Sequence, residues 1–394
     1  MTPVTPQSNE ALDGRWSVVV AYALVVAVTQ MLWLTFAPID TDVARDFDVS
    51  KTAVGLLALV FPLFYVLLAL PAGVALDRWF RGSLVVGAAL TAAGAVMRLV
   101  SQTFAWALAG QVVIAVAQPL VLNAMTKTAT GYLPEPERPT GIAVASAGQF
   151  LGAAVGLAMG PLLAGKYDLG PLLPVQAALS LLAVLALMIA LRRRPAVAGP
   201  PAAVGMAELR SVWNVALIRR LAQLAFVGVG VFVAVSTWLQ PILDHDDISS
   251  TAAGAMLAAM LVAGTAGCGI LPPMIARASG ERAYLIFVVV WVCAGFALLA
   301  VVHSRIAADF VLIIAIGFVL LAALPILLEL AERRMGASGG VATGILLLAG
   351  NAGGLLVAVL VGALSDQPSL AFAVLAACVL GGLPAARRVQ PSPG

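Results

Sequence analysis

Runs of about 20 apolar residues, separated by short polar breaks, recur twelve times along this chain. Each run is long enough to cross the hydrocarbon core of a bilayer as a helix. They fall at 16–38, 51–75, 83–100, 104–128, 140–164 and 172–191, then at 221–243, 251–275, 283–302, 307–331, 341–365 and 369–386. The alternating period of a barrel strand is missing, and the runs are about twice as long as such a strand needs. The pattern therefore predicts an all-α membrane protein with twelve transmembrane helices.

The polar stretches divide the chain further. Residues 1–15 form a short N-terminal tail, 16–191 a first six-helix bundle, 192–220 a linker, 221–386 a second bundle and 387–394 a C-terminal tail. No small-residue cleavage site follows the first apolar run, so it is expected to be a retained span. The linker opens with "RRRPAVAGPP", which reads as coil. It closes with "AELRSVWNVALIRR", which reads as a short surface helix with Trp213 and Leu217 turned inward.

Internal repeats fix the architecture. "VSKTAVG" (49–55) matches "ISSTAAG" (248–254) at Ser, Thr, Ala and Gly, and "WLTFAPI" (33–39) is echoed by "WLQPI" (238–242). In both halves a Trp and a Pro close a span, an acidic loop follows, and a Ser/Thr cap opens the next helix. "AGQFLG" (147–152) pairs with "AGNAGG" (349–354) in spans 5 and 11. These echoes predict two pseudo-symmetric six-helix bundles.

Composition agrees: 62% of residues are hydrophobic, 10% are charged, and the mean hydropathy is +1.04. The net charge of +3 reports topology. Of the 22 Lys and Arg, only Arg45, Lys51, Arg98, Lys166 and Arg305 fall outside if the N-terminus is cytoplasmic. The positive-inside rule then puts both termini in the cytoplasm of a multi-pass cell-membrane protein. Nucleic acid is not an expected partner, because the basic residues mark loops of one side. Cys268, Cys293 and Cys378 lie within spans and read as packing residues, with no metal set among them. There is no Ser-His-Asp set, no HExxH and no phosphate-binding Gly loop, so neither an enzyme nor an ATP-driven pump is expected, and no cofactor is implied.

"GVALDRWFRG" (73–82) concentrates Asp77, Arg78 and Arg81 between spans 2 and 3. It resembles the loop signature of the major facilitator superfamily, with Phe80 where that family usually has a second Gly. The copy in the second half, "PMIARASGER" (273–282), has Ala276 in place of the acid. The resemblance implies a conformational latch of Gly73, Asp77, Arg78 and Arg81, in which Asp77 faces the N-terminus of helix 11, where free N–H groups favour an anion.

A narrower resemblance joins "LPILLELAERR" (324–334), "GQVVIAVAQPLVLN" (110–123) and Trp33 to the feline leukaemia virus subgroup C receptor-related branch, whose members carry haem, choline or ethanolamine. It implies that Trp33 stacks on a quaternary ammonium group and that Gln149 and Asn351 sit at or beside cavity amides.

Read without any family, Gln30, Gln111, Gln118, Gln149, Gln223, Gln240 and Asn351 lie in apolar runs and must face protein, water or solute. Such amides also bridge packed helices. Trp33, Tyr65 and Trp238 offer cation–π surface, and the tryptophans equally suit anchoring at an interface. The candidate solute site is Trp33, Tyr65, Gln118, Gln149, Trp238 and Asn351. No charged residue falls near the middle of a span, which favours facilitated diffusion of a small organic solute, an amine, quaternary ammonium compound or amphiphile, by alternating access. "GLAMGPLLAG" (156–165) resembles the helix 5 signature of antiporters and keeps a proton-coupled exporter as the alternative. Its glycines, with Gly148 and Gly152, also make a smooth helix face for close packing. A membrane sensor with a carrier fold is the third reading. The partners expected are a small-molecule solute and the lipid bilayer, with the chain a monomer.

Overall fold

The computed structural model describes residues 15–134, 137–163, 169–193, 206–246, 248–278, 280–303, 305–335 and 338–389, with the backbone alone at several helical positions, Asp77 and Ala276 among them. The tail expected at the N-terminus, most of the Pro-rich linker and the last five residues lie outside this set.

Twelve helical segments are long and apolar enough to span a membrane. Spans 1–6 are Trp16–Asp46, Lys51–Leu76, Arg78–Met97, Phe104–Leu122, Thr140–Leu163 and Leu172–Ala190. Spans 7–12 are Ala216–Asp244, Ser250–Pro272, Glu281–Val302, Ile306–Met335, Val341–Gly362 and Pro368–Arg387. No strand occurs among the described residues. With twelve crossings, the start of span 1 at Trp16 and the end of span 12 at Arg387 fall on one side, called proximal below; the opposite side is distal.

Three segments depart from uniform helices. Span 1 is helical only over Trp16–Trp33, breaks at Leu34, and resumes as a tight turn, Ala37–Ile39, and a short helix, Asp40–Asp46. Pro38 has no N–H to donate to the Leu34 carbonyl, four residues back. The Thr35 hydroxyl donates to the Leu32 carbonyl at 2.9 Å, closing the frayed turn. Spans 2 and 3 follow one another with only Trp79 departing from helical angles, at φ −148° and ψ 57°. The "GVALDRWFRG" segment is thus mostly helical, not an open loop. The linker ends in a helix, Met206–Asn214, as expected, but on another face: Val212 is buried, while Trp213 is 47% exposed. The extended backbone of Val215 separates this helix from span 7 and sets its rotation.

The glycine stripe of span 5 lies directly on span 1. A Cβ at Gly148 would stand 2.7 Å from the Ala23 carbonyl oxygen, and Cβ atoms at Gly152 and Gly156 would collide with the carbonyls of Ala27 and Met31. In the second half, a Cβ at Gly353 of span 11 would collide with the Phe226 carbonyl of span 7. Backbone-to-backbone contact of this kind is what small residues permit between membrane helices.

Between the halves, span 5 packs on span 8 and span 2 on span 11. The distal ends are closed against each other. Lys51 Nζ lies 2.5 Å from Asp244 Oδ2, and Gln240 Nε2 donates to Thr41 Oγ1 at 2.9 Å. Gly254 abuts Pro38 and Pro161. On the proximal side, positions Gly73 of span 2 and Gly344 of span 11 face open space, with no atom within 4 Å of a Cβ built there. Among the described residues, the polar contacts between the bundles thus lie at the distal ends.

Candidate functional site

Trp33 is the last helical residue of the first segment of span 1 and is 7% exposed. Its indole N–H donates to the Ala58 carbonyl of span 2 at 3.0 Å. Its ring lies 6.3 Å from Phe61, tilted by 41°, and 6.3 Å from Phe232, edge-on at 68°. Phe61 belongs to span 2 and Phe232 to span 7, so the trio straddles the seam between the halves. Gln111 Nε2 donates to the carbonyls of Leu32 (3.3 Å) and Leu57 (3.2 Å), each one residue before an atom that fixes the indole. Trp33 is buried inside the protein, which leaves no place for it as an interface anchor.

Towards the proximal side, the Tyr65 hydroxyl donates to Asn123 Oδ1 at 2.6 Å, and Asn123 Nδ2 donates to the Ala69 carbonyl at 3.1 Å. Gln118 is buried, and its Oε1 has no hydrogen-bond partner among the described residues. Gln149 and Asn351 are half-buried, beside the glycines that seat span 5 on span 1 and span 11 on span 7. Asn351 Nδ2 donates to Leu347 of its own helix at 2.9 Å. Among the described residues, neither amide bonds to Trp33 or Tyr65.

Trp238 stands elsewhere. It is 1% exposed, its ring lies against Gly55 of span 2 and Gly362 of span 11, and its Nε1 has no partner. It belongs to the distal closure, across the seam from Gly55. The structure therefore brings Trp33 together with Phe61 and Phe232, and Tyr65 with Asn123; it separates Trp238 from both. Phe61 and Phe232 carried no sequence signal, since a Phe in an apolar run looks like any lipid-facing or core residue.

In the signature segment, Gly73 faces open space, Arg78 is exposed, and the Arg81 guanidinium donates to the Leu191 carbonyl at the end of span 6. The Asp77 side chain lies outside the described residues. At the start of span 11, Ser338 Oγ donates to Glu208 Oε1 of the linker helix at 2.9 Å. A linker carboxylate thus reaches this helix N-terminus.

The profile of the Major Facilitator Superfamily matches residues 18–358. Solute carrier family 49 member A3 of Danio rerio is 32% identical over 276 residues, 65% of this chain and 58% of that protein. The choline/ethanolamine transporter flvcr2b of Danio rerio is 24% identical over 296 residues, 68% of this chain and 60% of that protein. The chain thus matches under two thirds of the length of these relatives. A bacterial homologue of the human lysosomal transporter Spinster, solved in an inward-facing, unoccupied conformation, superposes with a TM-score of 0.69 at 17% identity, covering 96% of each chain.

Proposed function

Since this chain belongs to the major facilitator superfamily and has twelve candidate membrane spans among the described residues, we propose that it is a transporter that carries a small organic cation, an amine or quaternary ammonium compound, by facilitated diffusion. The observation that carries this reading is Trp33 at the seam, held by Ala58 and flanked by Phe61 and Phe232. Two π faces on one half and one on the other, parted when the halves rock, suit a cation that must be bound on one side and released on the other. A phosphate or dicarboxylate would call for Arg or Lys at the same depth. The relative named for choline and ethanolamine transport supports the same solute class. The distal side is read as extracellular from the distribution of Lys and Arg, and the conformation as open to the cytoplasm.

Proteoliposomes holding the purified chain should take up labelled choline down its gradient. Uptake should change little when a proton carrier collapses the pH gradient at clamped membrane potential. A large loss under that clamp would transfer the case to the proton-coupled alternative.

The latch reading assigns Asp77 to the other conformation, in which the proximal ends meet. Asp77→Asn should leave the protein folded and inserted, and should lower the labelling of single cysteines placed at the distal mouth. Unchanged labelling at normal expression would remove Asp77 from the latch.

A further inference from the structure

Arg98, at the end of span 3, is 1% exposed, and its hydrogen-bond partners among the described residues are neutral. Its Nη1 donates to Thr35 Oγ1 at 3.2 Å and to Gln111 Oε1 at 3.4 Å, its Nη2 donates to Gln176 Oε1 at 3.1 Å, and its guanidinium carbon lies 5.7 Å from the Phe36 ring centroid. None of the carboxylates among the described residues pairs with it. A guanidinium enclosed in this way holds a full charge whose desolvation the neutral acceptors offset only in part.

Two donors at this locus remain unused. Among the described residues, Arg98 Nε has no partner, and neither has Gln176 Nε2, on a side chain that is 0% exposed. The Gln176 amide is oriented by two bonds to its oxygen, from Arg98 Nη2 and from Thr35 Oγ1 at 3.0 Å. Turning the amide over would set its NH2 against the Nη2–H donor of Arg98, whereas Thr35, whose one proton can go to the Leu32 carbonyl, would accept from it equally well; the Arg98 bond therefore makes the NH2 the free end. Nε lies on the same edge of the planar guanidinium as Nη2, which holds Gln176, so the two free donors belong to side chains joined by one hydrogen bond. Water could accept from both but would leave the charge uncompensated.

We propose that Arg98 and Gln176 form a binding site for a small monatomic anion of the halide class, accepting from Arg98 Nε and Gln176 Nε2. Size follows from the enclosure: Arg98 is 1% and Gln176 0% exposed, which favours a small ion over a larger oxyanion. The site lies inside the first bundle, off the seam, so it does not depend on which solute the transporter carries. It does bear on the solute site, because Thr35 and Gln111, the other partners of Arg98, hold the frayed end of span 1 just beyond Trp33.

The test is the melting temperature of the purified full-length protein at constant ionic strength, with gluconate replaced stepwise by chloride and, separately, by bromide. Both halides should raise it along a saturating curve, as a ligand of the folded state does. Arg98→Gln should abolish the response. Gln176→Met, which keeps the charge and removes one donor, should raise the half-saturating chloride concentration by about tenfold, and it decides the matter if Arg98→Gln fails to fold. Bromide should give an anomalous scattering peak beside Arg98 Nε. Identical melting in gluconate and chloride overturns the proposal, as does a halide response that survives unchanged in Gln176→Met.

Discussion

Trp33→Ala should weaken the binding of a choline-like cation by about 1–3 kcal/mol, roughly 5- to 150-fold in Kd, through lost cation–π attraction and contact area. Phe61 and Phe232 remain in the variant, so the site should lose affinity without losing its shape, and Trp33→Phe should recover part of the loss. Gln149→Ala and Asn351→Ala belong in the same experiment. If either amide bonds the solute, its loss should cost about 1–3 kcal/mol of binding. An amide that only bridges helices should instead lower the melting temperature and leave affinity unchanged. Unchanged affinity in all three variants would empty the proposed site.

The second large effect concerns folding. Gly152→Leu places a Cβ on the carbonyl of Ala27, a backbone atom that cannot turn aside, so spans 1 and 5 must separate. The expected cost is about 3 kcal/mol or more, read as a collapse of the folded yield or a steep fall in melting temperature. Gly353→Leu should behave alike through Phe226. Gly344→Ala is the control. It meets nothing within 4 Å, and removing a helical glycine should leave the melting temperature level or raise it. Equal losses at Gly152 and Gly344 would mean that helix propensity, not close approach, sets the requirement for glycine.

The spans were legible in the sequence because the bilayer imposes length and apolarity on every crossing segment, and the starts at Trp16, Lys51 and Phe104 coincide with the ends of polar breaks. The glycine stripe was legible too, since a four-residue spacing makes one helix face. The solute site was legible only in part. Trp33 stands out as a large polar-tipped ring beside a Pro, whereas Phe61 and Phe232 gain meaning only when the seam brings them to it. Arg98 reads in the sequence as a charge at a helix end, open to water. The unwound turn at Leu34–Phe36 folds over it, and no local pattern announces that burial. Trp213 misled for a related reason: a single extended residue, Val215, rotates the linker helix and puts Val212 inside instead.

The distal closure has a further property. Ser236 Oγ, Thr237 Oγ1, Trp238 Nε1 and Gln240 Oε1 on span 7, with Asp40 Oδ2 opposite, are all buried without a hydrogen-bond partner. Each forfeits on the order of 1–3 kcal/mol of hydration while the mouth is shut. In the proposed transport cycle, opening would flood this layer, so water would return to these groups at the moment the Lys51–Asp244 pair and the packing of Trp238 are given up. The two losses oppose each other, and neither conformation becomes a resting place too deep to leave. Filling the layer with well-packed apolar side chains, for instance by Thr237→Val, should therefore yield a sturdier protein that turns over more slowly.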